Sequence, residues 1–281
     1  MDKRKAVGSR RWAPTSWQCV LATLCFLVIA HCPILRAQAP GPESEPKSAP
    51  PSALPSRVDP KAQELLDQTI GALGGPAFLQ AKSQTTRGRI FAISEGVTAG
   101  FAPFESTVEF PDKRRFSYGK DKPVILFNDG ERGWELDRYG LIGQPAEQIR
   151  RWRIATRYGY EGLLRQLIHE PGVLAQAGGS DFIDNLPVRI VEITDAQQVH
   201  VKLFVHAVKH LPVRIDYRLP NPQTGEWEEF AEVYGDFRDF QGIQTPMHVT
   251  RYLNGDRYSE VYRNSAEYNT AHPANYFTPG G

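Results

Sequence analysis

The sequence predicts an α+β chain that is mostly β: one curved antiparallel sheet, an unclosed β-barrel, with helices packed on its concave side. Three observations carry this. From Gln84 onward apolar residues recur with period two, as in Phe104-Glu-Ser-Thr-Val108-Glu-Phe110, where Phe104, Val108 and Phe110 share one face and Glu105 and Glu109 the other. Helical spacing is confined to 61–73 and to 145–169. No strand–helix–strand rhythm occurs, and parallel strands would need such crossovers. A closed up-and-down barrel is the alternative, because alternation shows one dry and one wet face without showing closure.

The elements follow in chain order. Lys3, Arg4, Lys5, Arg10 and Arg11 precede an uncharged run from Cys19 to Ala30, ended by His31 and Pro33. That run is too short to cross a bilayer core, which takes about 20 helical residues. With the small residues of Ala37-Gln38-Ala39 it reads as a secretory signal peptide over 1–39, cleaved after Ala39. A retained signal anchor is the alternative. The arginine pair is ordinary signal charge, since Ala13 and Pro14 stand where a twin-arginine signal would have apolar residues. His31 before Cys32 argues against a lipoprotein signal.

Cleavage changes the chemistry available. All three cysteines (Cys19, Cys25, Cys32) leave with the signal, so the expected mature chain has no disulfide, thiolate metal site or cysteine nucleophile. Six of the 33 basic and one of the 32 acidic residues leave too, turning the formal charge from +1 to −4. Nothing then suggests a nucleic-acid partner.

Residues 40–60 hold seven prolines among small and polar residues and read as an extended linker. Residues 61–73 form a helix on Leu65, Leu66, Ile70 and Leu73, stopped by Gly74-Gly75. A meander follows through 104–110, 114–118, 124–127 and 134–137, with Asn128-Asp129-Gly130 as a hairpin turn. Helices are expected at 145–158 and 161–169, closed by Pro171 and Gly178-Gly179. Strands return at 188–193, 199–205, 211–217, 226–237, 245–253 and 257–268, for ten or eleven in all. The folded domain is placed at 61–277.

Several strings then line up with a known family. The chain resembles the LolA-like outer-membrane lipoprotein-sorting proteins in Ala72-Leu73-Gly74-Gly75, in Asn128-Asp129-Gly130 through Gly133-Trp134, and in Leu211-Pro212-Val213-Arg214. The longest match runs from Tyr234-Gly235-Asp236-Phe237-Arg238 through Phe240, Gly242 and Ile243 to Pro246. The resemblance implies an unclosed barrel capped by helices around an apolar cavity, which in the best-known members takes lipoprotein acyl chains. Greater length and the proline-rich linker set this chain apart from the dedicated carrier.

Candidate chemistry is sparse. His206-Ala-Val-Lys-His210 has a helical zinc spacing but lies between two strands, where that spacing no longer aligns the rings; it reads as a turn. Asp181, Asp184 and Glu192 read as turn and strand residues rather than paired acid and base. Asp236-Phe-Arg238-Asp239 marks a strand leaving the sheet before the turn at Gln241-Gly242. No Gly-x-Ser-x-Gly occurs, and the Gly-Gly pairs read as helix stops. No cofactor or metal is implied, and the chain reads as non-catalytic.

Aromatic residues say more. They crowd the first meander and the helical insertion beyond what two short helices can cover. The expected ligand wall is Phe110, Phe116, Tyr118, Phe127, Trp134 and Trp152. The expected function is a periplasmic carrier or receptor for lipid or lipoprotein acyl chains, with an envelope protein as a further partner. The alternative is an envelope sensor or interaction module without a small ligand.

Overall fold

The computed structural model describes residues 56–279; the expected signal peptide (1–39) and residues 40–55 of the expected linker lie outside the described residues. Arg57–Val58 forms a short strand, β1, inside the segment read as linker. Helix α1 (Pro60–Leu73) follows, capped by Asp59, whose carboxylate accepts from the Ala62 amide. Gly74 ends it at φ 123°, where a side chain would strike the Gly242 carbonyl. A second short helix, α2 (Pro76–Gln80), starts at once on a proline and went unread in the sequence.

Then come β2 (Ser83–Ser94), β3 (Val97–Glu109), β4 (Lys113–Tyr118), β5 (Val124–Asp129), β6 (Arg132–Asp137) and β7 (Gly140–Gly143). Helices α3 (Ala146–Tyr158) and α4 (Tyr160–Arg165) are followed by a 3-10 turn at Leu167–His169. The chain closes with β8 (Leu174–Ile183), β9 (Leu186–Thr194), β10 (His200–His206), β11 (Pro212–Pro220), β12 (Trp227–Phe240), β13 (Ile243–Leu253) and β14 (Asp256–Tyr268).

All fourteen strands belong to one sheet, in the order β1-β8-β9-β10-β11-β12-β13-β14-β2-β3-β4-β5-β6-β7. Every pairing is antiparallel except β1 with β8. The terminal strands β1 and β7 do not pair, so the curved sheet is an unclosed barrel and the closed one is excluded. Turn chemistry sets the registers: Glu95-Gly96, Asp184-Asn185, Gln241-Gly242 and Asn254-Gly255 each place two positive-φ residues between paired strands.

Two readings are corrected. Gly178-Gly179 is not a helix stop but a bulge within β8, where the register with β9 shifts between Ala177 and Ser180. A side chain at Gly178 would lie 2.9 Å from those of Ile190 and Glu192, and Gly179 has φ 89°. Two glycines hid a strand. Similarly, β12 does not leave the sheet at Asp236: that residue, at φ 54°, interrupts the ladder, which resumes from Phe237 to Phe240.

The core lies on one face. Leu65, Leu66 and Leu73 of α1, Phe78 of α2 and Leu163 and Leu164 of α4 pack on Val191, Ile193, Val201, Leu203 and Ile215. The opposite face carries a separate small cluster of Val188, Phe204 and Val213.

Candidate functional site

Beside the filled part of the core, the concave face holds a partly open cavity of about 410 Å³. Its floor comes from β2–β5 and β11–β14, and its roof from α3 and α4. Apolar side chains from Phe104, Phe116, Leu126, Val249 and Val261 meet Trp152 and Ala155 of α3. Phe104 and Phe116 stack with centroids 5.6 Å apart. A second depression, about 780 Å³, runs along α3 and shares Pro111, Asp112, Trp152, Thr156 and Gln166 with the first. The two meet beside Trp152.

The register decides which expected residues reach this space. Cross-strand partners share a face, and Phe116 partners Ser106 and Leu126, all three lining the cavity. Phe110 and Trp152 line it too. Tyr118 lies on the same face, 5.7 Å from Phe116, but outside the lining. Burial first, then Glu135 and Asp137, push its phenol up to about 12. Phe127 and Trp134 partner each other and, through Arg115, belong to the convex face. There Phe127 is buried beneath Arg115, whose guanidinium also covers Tyr276, and Trp134 lies under Arg132. The sheet thus brings together Phe110, Phe116 and Trp152, keeps Tyr118 beside them, and turns Phe127 and Trp134 away.

Polar groups missed in the sequence occupy the same cavity. Arg251 on β13 donates to Glu232 on β12 at 2.7 Å, and Tyr234 donates to the other Glu232 oxygen at 2.8 Å. Burial opposes the Arg251 charge, but Glu232 together with Tyr258 and Tyr234 more than offsets it and holds that pKa above its ordinary value. Arg114 of β4 donates from Nε and Nη2 to Asn128 Oδ1 at 3.2 and 2.8 Å. Burial first and the like charge of Arg251 second push its pKa down to about 9, leaving it cationic at neutral pH. Arg165 lies 4.0 Å from the centre of the Phe110 ring. Alternation alone could have found Arg114, two residues from Phe116; Glu232 and Arg251 needed the pairing of β12 with β13.

Helix α3 is held to this cavity largely by charge. Glu147 in its first turn accepts from Arg150 at 2.7 Å and Arg151 at 2.6 Å, and both arginines also reach Glu228 of β12. Arg157 in its last turn pairs with Glu170 in two parallel bonds of 2.8 and 2.7 Å.

The other sequence candidates stay apart from the cavity. His206 Nδ1 accepts the Val208 and Lys209 amides in the turn between β10 and β11, and His210 takes φ 55° there. Asp181 caps its neighbour's amide in β8, Asp184 sits in the β8–β9 turn, and Glu192 pairs with Lys202. Among the described residues no group of three or more His, Cys, Asp or Glu could hold a metal ion.

No family model matches the chain, and no curated protein is similar to it in sequence. Solved structures are similar in fold. A domain from Vibrio parahaemolyticus named as an outer membrane lipoprotein-sorting protein domain aligns with a TM-score of 0.50 at 7% identity, over 78% of this chain and 96% of that one. A DUF1329 family protein from Desulfovibrio piger aligns with a TM-score of 0.52 at 9% identity, over 77% of this chain and 96% of that one. The fold is LolA-like.

Proposed function

We propose that this protein is a periplasmic carrier or receptor that takes an acyl chain of a lipid or lipoprotein into the cavity beneath α3, without catalysing a reaction. The observation that carries this is the partly open cavity of about 410 Å³ walled by Phe104, Phe116 and Trp152. It falls within the few hundred Å³ typical of ligand pockets. A filled core would close such a volume. Each methylene buried there contributes roughly 0.8 kcal/mol, so a chain can be held tightly with few polar contacts. The fold shared with the Vibrio domain named for lipoprotein sorting supports the same reading, as does the exported N-terminus expected from sequence.

Fluorescence titration with a fatty-acyl probe, read beside thermal melting, tests it. The native protein takes up the probe, whereas Phe116→Glu places an ion on the wall and loses uptake while keeping a cooperative melt. A native protein that never binds the probe, with a Phe116→Glu variant that no longer folds, would make the aromatics simple core. The protein would then be a ligand-free envelope module.

A further inference from the structure

The acyl-chain reading leaves the charges of the cavity unused. Five arginines and one lysine reach its lining, against three carboxylates. Arg251 has Glu232, and Arg151 has Glu147 and Glu228. Among the described residues no carboxylate pairs with Arg114: its two hydrogen bonds end on one neutral oxygen, Asn128 Oδ1.

That oxygen is held in place by a buried relay. Asn128 is fully buried, and its Nδ2 donates to Gln144 Oε1 at 2.8 Å. Gln144 Nε2 in turn donates to the Trp134 carbonyl at 2.9 Å. The relay fixes the Arg114 guanidinium 5.6 Å from the centres of both the Phe116 and Trp152 rings. Arg114, Phe116, Phe104 and Trp152 all line the same cavity, so this cation and the apolar wall face one space. An aspartate at 128 would have neutralised it. Instead an amide orients the cation and leaves its charge unspent, although buried charges are ordinarily paired. Arg165, also on the lining, has its Nε and Nη2 buried without a partner.

We infer that the ligand is an anionic amphiphile, whose carboxylate or phosphate monoester head is bound by Arg114 while its chain lies along Phe116 and Phe104. This rests on the acyl-chain reading of the cavity. Arginine suits either head, because its planar donor fork meets two oxygens of one anion.

The test is displacement of the neutral dye N-phenyl-1-naphthylamine by dodecanoate, dodecyl phosphate and dodecanol at fixed ionic strength. The native protein should prefer at least one anionic chain over the alcohol by about tenfold or more, equivalent to about 1.4 kcal/mol. Preference for the carboxylate or for the phosphate identifies the head. Arg114→Gln should bring the ratio of anion to alcohol affinity near one, and Arg114→Lys should keep part of it. Asn128→Asp supplies an internal counter-ion while leaving the arginine in place, and should also bring the ratio near one. It carries the test if Arg114→Gln melts without cooperativity. Equal affinity of the native protein for all three chains would overturn the headgroup site and leave the carrier standing. Displacement by none of them, with no dye bound, would overturn both.

Discussion

One sheet faces two kinds of interior. Under α1 and α4, strands β9–β11 present Val191, Val201, Leu203 and Ile215, all inaccessible to solvent or nearly so, to Leu66, Leu73, Leu163 and Leu164. Under α3, strands β2–β5 and β12–β14 present Phe104, Phe116 and paired or unpaired arginines to an open space. The covering helices differ in the same way. Helix α1 buries Ala62, Leu65, Leu66, Thr69 and Leu73 along one stripe, whereas α3 buries only Trp152 and Tyr158. Hydrophobic area fastens the first. Ion pairs fasten the second, and pairs with partly exposed members contribute about 0–1 kcal/mol each. The filled end supplies stability, and the end held by charge leaves room for a ligand.

The comparison breaks if the two ends respond alike to mutation. Leu203→Ala or Ile215→Ala should cost about 2–5 kcal/mol in urea unfolding, the loss expected of fully buried aliphatic residues. Phe116→Ala removes a larger side chain but should cost less, below about 2 kcal/mol, because one side already faces the cavity. Equal costs would place Phe116 in a packed core.

The ion pairs at α3 give a pH signature. Arg150 first, with Arg151, holds the Glu147 carboxyl below its ordinary 4.5, against a smaller opposing effect of burial. Its contribution to stability is therefore present above about pH 4.5 and is lost as the pH falls through the lower folded value. Hydrogen exchange should show α3 losing protection in that acid range while α1 keeps its own; parallel loss would contradict the division. Glu228→Gln, which weakens the same anchor at neutral pH, should cost about 1.5–3 kcal/mol, because Glu228 is buried.

The smallest effects are expected on the convex face. Trp134→Ala should leave acyl-probe uptake at the native level, and uptake lost with the fold intact would put that face in the binding site. Phe182 at the β8–β9 hairpin is 71% exposed, and Phe182→Ser should change stability by no more than about 0.5 kcal/mol.

The fold was largely legible because alternation and turn residues are local. Phe104, Val108 and Phe110 revealed their face directly, but the hairpin read at Asn128-Asp129-Gly130 turns at Gly130-Glu131, and that turn pairs Phe127 with Trp134 on a common face. Which face was not legible. That depends on the five residues from Gly119 to Pro123, whose path sets Tyr118 opposite Val124 and so puts Leu126, not Phe127, beside Phe116. Parity across such a loop is a property of the folded backbone. The β8 bulge was unread because Gly178-Gly179 serves equally to stop a helix and to bend a strand. The charges of the cavity were unread because Glu232 and Arg251 meet only through the β12–β13 register.

A hydrophobic ligand held beneath α3, as proposed, should stay with the protein through isolation. Native mass spectrometry of the full chain isolated from its own cell envelope tests it most directly. A bound species of lipid mass is expected at one per protein, absent from Phe116→Glu prepared in the same way. A native protein carrying only its own mass, and unchanged after incubation with dodecanoate or dodecanol, would contradict it.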